Sequence, residues 1–155
     1  MAIQRSVLMV ELLMSADRVI TAAQSATPRA HSNQWSPATI VGHLSQVDTE
    51  VWLPRIDQMV IGRQAGVTPT FAWWEPEAQQ TLERYALATA DDAGAQLLAS
   101  RTTILHRLRE LTDEDWDARA EHEAFGPLDI EGLMLQVLSH DEEHRASILL
   151  SQPEV

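Results

Sequence analysis

Two histidines four residues apart, His140 and His144, lie in a stretch that reads as one unbroken helix from about Ile130 to Leu150. At about 3.6 residues per turn, positions i and i+4 stack on one face, so the pair can present two imidazoles to a single point. Counted at about 100° per residue from His140, Leu133 falls at about 20°, His144 at about 40°, Val137 at about 60°, Ile130 and Ile148 at about 80°, and Met134 at about 120°. Both imidazoles therefore lie within the apolar stripe of their helix. Burying two of them side by side without a partner would forfeit their hydrogen bonds, so this helix must fold against something polar or metallic.

The choice of partner is narrowed by what the chain lacks. It has no cysteine, which excludes disulfides, thiolate ligands and a cysteine nucleophile, and leaves His, Asp and Glu as strong ligands. Its 23 acidic and 11 basic side chains give a net charge of −12, which repels phosphate backbones and anionic membrane surfaces. Neither nucleic acid nor a membrane is therefore an expected partner. A length of 155 residues with 45% hydrophobic content suits one domain spanning 1–155. The apolar run from Val7 to Met14 is broken by Glu11 and leads into Asp17 and Arg18. It lacks the uninterrupted core of a signal peptide and is too short to span a bilayer, so a soluble, cytoplasmic protein is expected.

The remaining segments read mostly as helices. Residues from Ile3 to about Ala26 carry Leu8, Leu12 and Val19 at helical spacing, and a loop with Pro28 follows to Gln34. Ser36 as cap, Pro37 at the first helical position and Trp35 placed to staple against Ile40 start a second helix, expected to reach about Ile61. Pro54 should kink or end it. His43 lies at the edge of that helix's apolar stripe, beside Val47 and Ile40. Gly62 to Pro76, with Phe71, Trp73 and Trp74, reads as a long aromatic-rich connection, either covering a pocket or pinned onto the helices, before a short helix from about Glu77 to Leu87. Thr89 and Asp92 open a helix from Ala90 to Leu111, and Thr112 caps one further short turn. Asp117 to Leu128 reads as extended or loop, and Asp129 caps the last helix.

Arg101 falls in the middle of the apolar stripe formed by Leu97, Leu98, Ile104, Leu105 and Leu108. It either snorkels outward on its methylene stem or pairs with an inward acid, Asp141 or Asp48, or with an anionic substrate. Asp141, partly inward, is placed to orient a ligand imidazole or to hold Arg101. His31, His106 and His122 have loop or outward-leaning settings and receive no role, although His122 precedes the last helix closely enough to approach a site there. If the helices of His43 and of the His140–His144 pair are neighbours in an up-down bundle, the three imidazoles make a facial metal site with open positions.

The order Trp35-Ser36-Pro37, His43-Leu44, Gly126-Pro127-Leu128 and His140-Asp141-x-x-His144-Arg145 resembles the DinB-like (DinB/YfiT-like) metalloenzyme superfamily, over nearly the whole chain. That resemblance implies an all-α, up-down four-helix bundle holding a divalent metal, commonly nickel or zinc, on residues matching His43, His140 and His144. It also implies a homodimer, and a metal-dependent enzyme acting on a small molecule with a low-molecular-weight thiol such as bacillithiol or mycothiol, as a transferase or isomerase. The alternative is a non-catalytic, stress-associated or ligand-binding bundle with a structural metal or none. His140-x-x-Glu143-His144 also spells the H-x-x-E-H of inverted zinc proteases, which would make Glu143 a general base. Those enzymes need a third, acidic ligand well downstream, and Glu154 in the tail is the one acid after His144, so Glu142 and Glu143 read as solvated face residues.

Overall fold

A computed structural model describes residues 4–26 and 35–150. The expected helix start at Ile3, the loop residues 27–34 with His31, and Glu154 lie outside them. The first helix, α1 (Arg5–Ser25), buries Leu8, Leu12, Ser15, Val19 and Ala23 on one face. The second, α2 (Pro37–Val47), is capped as expected, the Ser36 hydroxyl accepting from the Thr39 amide at 3.1 Å.

Pro54 neither breaks nor ends the helix that α2 begins. The chain passes through one wider, π-helical turn at Asp48–Trp52, in which the Leu53 amide donates five residues back to the Asp48 carbonyl, and continues as α3 (Leu53–Ala65). Pro54 thus falls in the first turn of α3, where a missing amide hydrogen costs little. Gly66, at φ 71°, takes the left-handed conformation that closes α3 beyond the expected end at Ile61.

A short α4 (Ala78–Arg84) is followed by α5 (Ala90–Glu110), capped by Thr89, and by the single turn α6 (Asp113–Trp116), where Thr112 and Asp115 cap each other reciprocally. The last helix, α7 (Ile130–Leu150), starts where the Asp129 carboxylate accepts from the Gly132 amide at 2.7 Å.

Four helical segments, α1, α2–α3, α5 and α7, form the bundle. One core layer joins Val19 and Ala23 of α1, Ile40 and Val41 of α2, Ala93 and Leu97 of α5, and Ile148 of α7. The other joins Leu8 and Leu12, Val51 and Ile56, Ile104 and Leu108, and Ile130 and Leu133. The end of α1 therefore lies level with the starts of α2 and α5 and with the end of α7. So α1 and α7 run one way while α2 and α5 run the other, and the connection from α3 to α5 must travel back along the bundle.

That connection carries a strand, β1 (Thr70–Phe71), parallel to β2 (Arg119–His122), which pairs antiparallel with β3 (Gly126–Asp129) in the register Arg119↔Asp129 and His122↔Gly126. This three-stranded sheet is an addition to the expected helices, and it fixes as a hairpin the segment that reads as extended or loop. Among the described residues no helix is long and apolar enough to cross a membrane.

Candidate metal site

The folded chain brings His43, His140 and His144 together. His43, on the second turn of α2, is 3% exposed; His140 and His144, in the second half of α7, are half-buried. The ring centroids of His43 lie 5.5 Å from His140 and 4.9 Å from His144, and those of the pair are 4.5 Å apart. One ring nitrogen from each of the three lies within 4.8 Å of the others. The Nε2 atoms of His140 and His144 are 3.1 Å apart. Two nitrogens bound to one tetrahedral ion at about 2.0–2.1 Å would be separated by about 3.3 Å, so the pair is already near ligand spacing.

Electrostatics keep these rings neutral. Burial, then the neighbouring His144 and His140, pushes His43 from 6.5 to about 3. Burial, reinforced by His140, pushes His144 to about 4, and burial also lowers His140. A neutral imidazole is the form that ligates metal. The Nδ1 atoms of His43 and His140 are buried without a hydrogen-bond partner. Three neutral nitrogen donors converging at one point fit a divalent cation.

Arg101 and Asp141 are not part of that cluster. The guanidinium of Arg101 is fully buried and does not snorkel. It grips Asp141 through Nη1 at 2.7 Å and Nη2 at 3.1 Å, Asp48 through Nε at 3.1 Å and Nη2 at 3.2 Å, and the Leu12 carbonyl through Nη1 at 2.8 Å. All five of its N–H groups are engaged, leaving none for a substrate. Ser15 donates to Asp141 at 2.8 Å and Ser100 to Asp48 at 3.0 Å. Two carboxylates share one guanidinium: burial raises Asp48 to about 6, against the pull of Arg101. The same carboxylates raise Arg101 although burial opposes it, so it stays charged. Asp141 thus holds Arg101 and makes no hydrogen bond to a ligand ring.

The three histidines face a cavity of about 460 Å³ between α2–α3, α7, the returning connection and the β2–β3 turn. Trp35, Trp52, Trp73, Trp74 and Phe125 supply its apolar walls, and Glu143, exposed, stands at its rim. Trp35 packs its ring 4.9 Å from that of His43 and donates to the Ala78 carbonyl at 3.4 Å, tying α4 to the site. Arg55 also lines the pocket, with nothing in the sequence pattern to single it out, and so does His122, which the sequence places near enough to approach the site but gives no role. His122 is 4% exposed, because the alternation of β2 turns Ala120 and His122 to one buried face, continuing from the buried Ala118 just before the strand. That signal is only a few residues long and built on alanines. His106 is exposed on α5.

The three-dimensional structure of YfiT from Bacillus subtilis is similar to this chain, with a TM-score of 0.72 and 17% sequence identity over 96% of this chain and 87% of that one. That protein is described as a probable metal-dependent hydrolase with an unusual four-helix bundle topology. At this identity the likeness establishes the four-helix bundle fold. No curated protein matches the sequence. The family model of the DinB superfamily matches residues 12–148, and the chain belongs to that superfamily.

Proposed function

We propose that His43, His140 and His144 hold a divalent metal, nickel or zinc, and that the protein is a metal-dependent enzyme acting on a small molecule. The observation that carries this reading is the convergence of three neutral imidazoles at the wall of a cavity of about 460 Å³. When bound, such an ion supplies a Lewis acid that lowers the pKa of a water or thiol nucleophile toward neutrality. The protein's own part is to keep the three rings unprotonated, to present them at one wall, and to hold the reacting molecule among Trp52, Trp73 and Phe125 away from bulk water. Transfer of a low-molecular-weight thiol is the first reading, with the thiol as cosubstrate. Hydrolysis is the second, favoured by the description of the structurally similar YfiT. The chain is assigned to the cytoplasm, as a homodimer.

Elemental analysis of protein purified without an affinity tag tests the centre. About one equivalent of nickel or zinc is expected per chain, with loss of that metal in His43→Ala and in His140→Ala. A wild-type protein free of stoichiometric metal ends the proposal. With metal present, consumption of a small thiol in the presence of an electrophile selects the transferase reading, cleavage of small esters or amides selects hydrolysis, and binding without turnover leaves a non-catalytic bundle.

A further inference from the structure

Across the cavity from the histidine cluster lies a pair of groups that the metal reading does not use. Arg55, on α3, is held by a hydrogen bond from Nη2 to the Ala72 carbonyl at 2.7 Å, and its guanidinium lies over the Phe71 ring at 4.9 Å. It forms no ion pair among the described residues, although burial lowers its pKa and thus registers the cost of an uncompensated charge. Its Nη1 points at Nε2 of His122, 3.3 Å away.

The tautomer of His122 decides what that approach means. Its Nδ1 accepts from two backbone amides, Ala124 at 3.0 Å and Phe125 at 3.3 Å, which close the β2–β3 turn. A neutral imidazole that accepts at Nδ1 carries its proton on Nε2. The reverse tautomer would set Nδ1–H against two fixed amide hydrogens. Arg55 and His122 therefore face each other as donors, with no acceptor between them. Two convergent N–H donors and one positive charge at the end of an apolar cavity match a carboxylate. A dianionic phosphate fits less well, since the cavity offers one cation, and Glu75 and Glu143 line it as well.

We infer that Arg55 and His122 form a carboxylate-binding subsite, and that the molecule processed is a small aromatic or apolar carboxylate whose reacting end reaches the three histidines. The second half of this inference rests on the metal-centre proposal; the subsite itself does not. Trp52 links the two regions, its ring 6.1 Å from that of His140 and 6.0 Å from Cζ of Arg55, which sets the span of a small molecule rather than a polymer.

Benzoate and its neutral analogue benzamide test the subsite, with binding read from tryptophan fluorescence on the full-length protein, as purified and after chelator treatment. Saturable benzoate binding that survives chelation is expected, with benzamide and inorganic phosphate at least tenfold weaker. Arg55→Met should weaken benzoate at least tenfold, and Arg55→Lys less. Equal binding of benzoate and benzamide, or a folded Arg55→Met protein that binds benzoate like the wild type, overturns the inference. Nitrogen NMR of the unmutated protein gives a check that needs no variant: a His122 signal protonated at Nε2 and moved by benzoate supports it, and one protonated at Nδ1 overturns it. Arg55-dependent binding in a protein that carries no metal sustains the subsite while removing the metal centre.

Discussion

The three histidines store a pH dependence in the metal-free protein. In the unfolded chain their imidazoles titrate near 6.5, whereas in the folded state His43 titrates at about 3 and His144 at about 4. Between those values unfolding takes up protons, so stability is present above pH 6.5 and falls with acid. For His43 alone the loss by pH 3 is on the order of 4 kcal/mol at about 1.36 kcal/mol per pKa unit. Asp48 works the other way: raised from 3.8 to about 6, it is a proton the folded state keeps, so its effect is to lower stability as pH rises through that window. Two protons gained against one released leave a net acid loss. Urea unfolding of chelator-treated protein from pH 7 to pH 4.5 should show it, and His43→Gln should flatten the slope by up to about 1.4 kcal/mol per pH unit. An unchanged slope in that variant would mean that His43 is not held neutral. At this scale the sequence was informative about type and misleading about depth. The angular count puts His140 and His144 within the stripe. In the structure Asp141, at about 100°, is the residue buried on the core face, while the histidines sit at its edge, open to the cavity.

At the scale of elements, Arg101 is the tie between helices. From α5 it reaches Asp48 at the π-helical turn, Asp141 on α7 and the Leu12 carbonyl on α1, so one side chain crosses all four bundle segments. Its position was legible as an anomaly, a guanidinium amid leucines, and Asp141 and Asp48 were legible as candidate partners; the choice between them, an outward snorkel and a substrate was not, because periodicity gives the facing of each helix and not its neighbour. Removing one member of such a network leaves an unpaired buried charge. Arg101→Met should therefore destabilise the fold by about 3–5 kcal/mol at pH 7.5. Without the cation Asp48, already raised by burial, loses the guanidinium that pulls it down and favours protonation when folded. Protonation of Asp48 supplies stability that is present at low pH and lost as pH rises through its raised folded value, so the variant's deficit relative to wild type should shrink toward pH 5. Paired urea titrations at the two pH values measure this, and a deficit that does not change with pH would show that the network is not ionised as described. The wide turn at Asp48–Trp52 belongs to the same scale. Pro54 signals a break, yet a single extra residue in the preceding turn absorbs it and also brings Asp48 to Arg101.

For the whole molecule, the order of helix directions builds the cavity. Because α2 and α5 run the same way, the connection between α3 and α5 has to return along the bundle, and it lays Trp73, Trp74 and Pro76 beside the histidines on its way. No local pattern encodes that path, nor the pairing of Thr70 with Glu121 some fifty residues later in the chain; the family resemblance supplied the bundle that the periodicities alone could not assemble. The proposed homodimer belongs to this scale as well. Opposite its buried face, α1 leaves Val7, Val10 and Met14 exposed at 49%, 59% and 44%, at i, i+3 and i+7, with Leu13 beside them and the Glu11–Arg18 ion pair along one side. An apolar helical arc of this kind suits a second copy of itself across a two-fold axis. Each protomer carries −12, so the two repel, and association should tighten as salt rises from about 50 to 500 mM, the reverse of a salt-bridged interface. Sedimentation velocity should show a dimer for the wild type and a monomer for the Val10→Glu, Met14→Glu protein. No α1 residue lines the cavity, so the monomeric variant should keep its metal content and its benzoate affinity. A wild type that stays monomeric in high salt would mean that this face has another use.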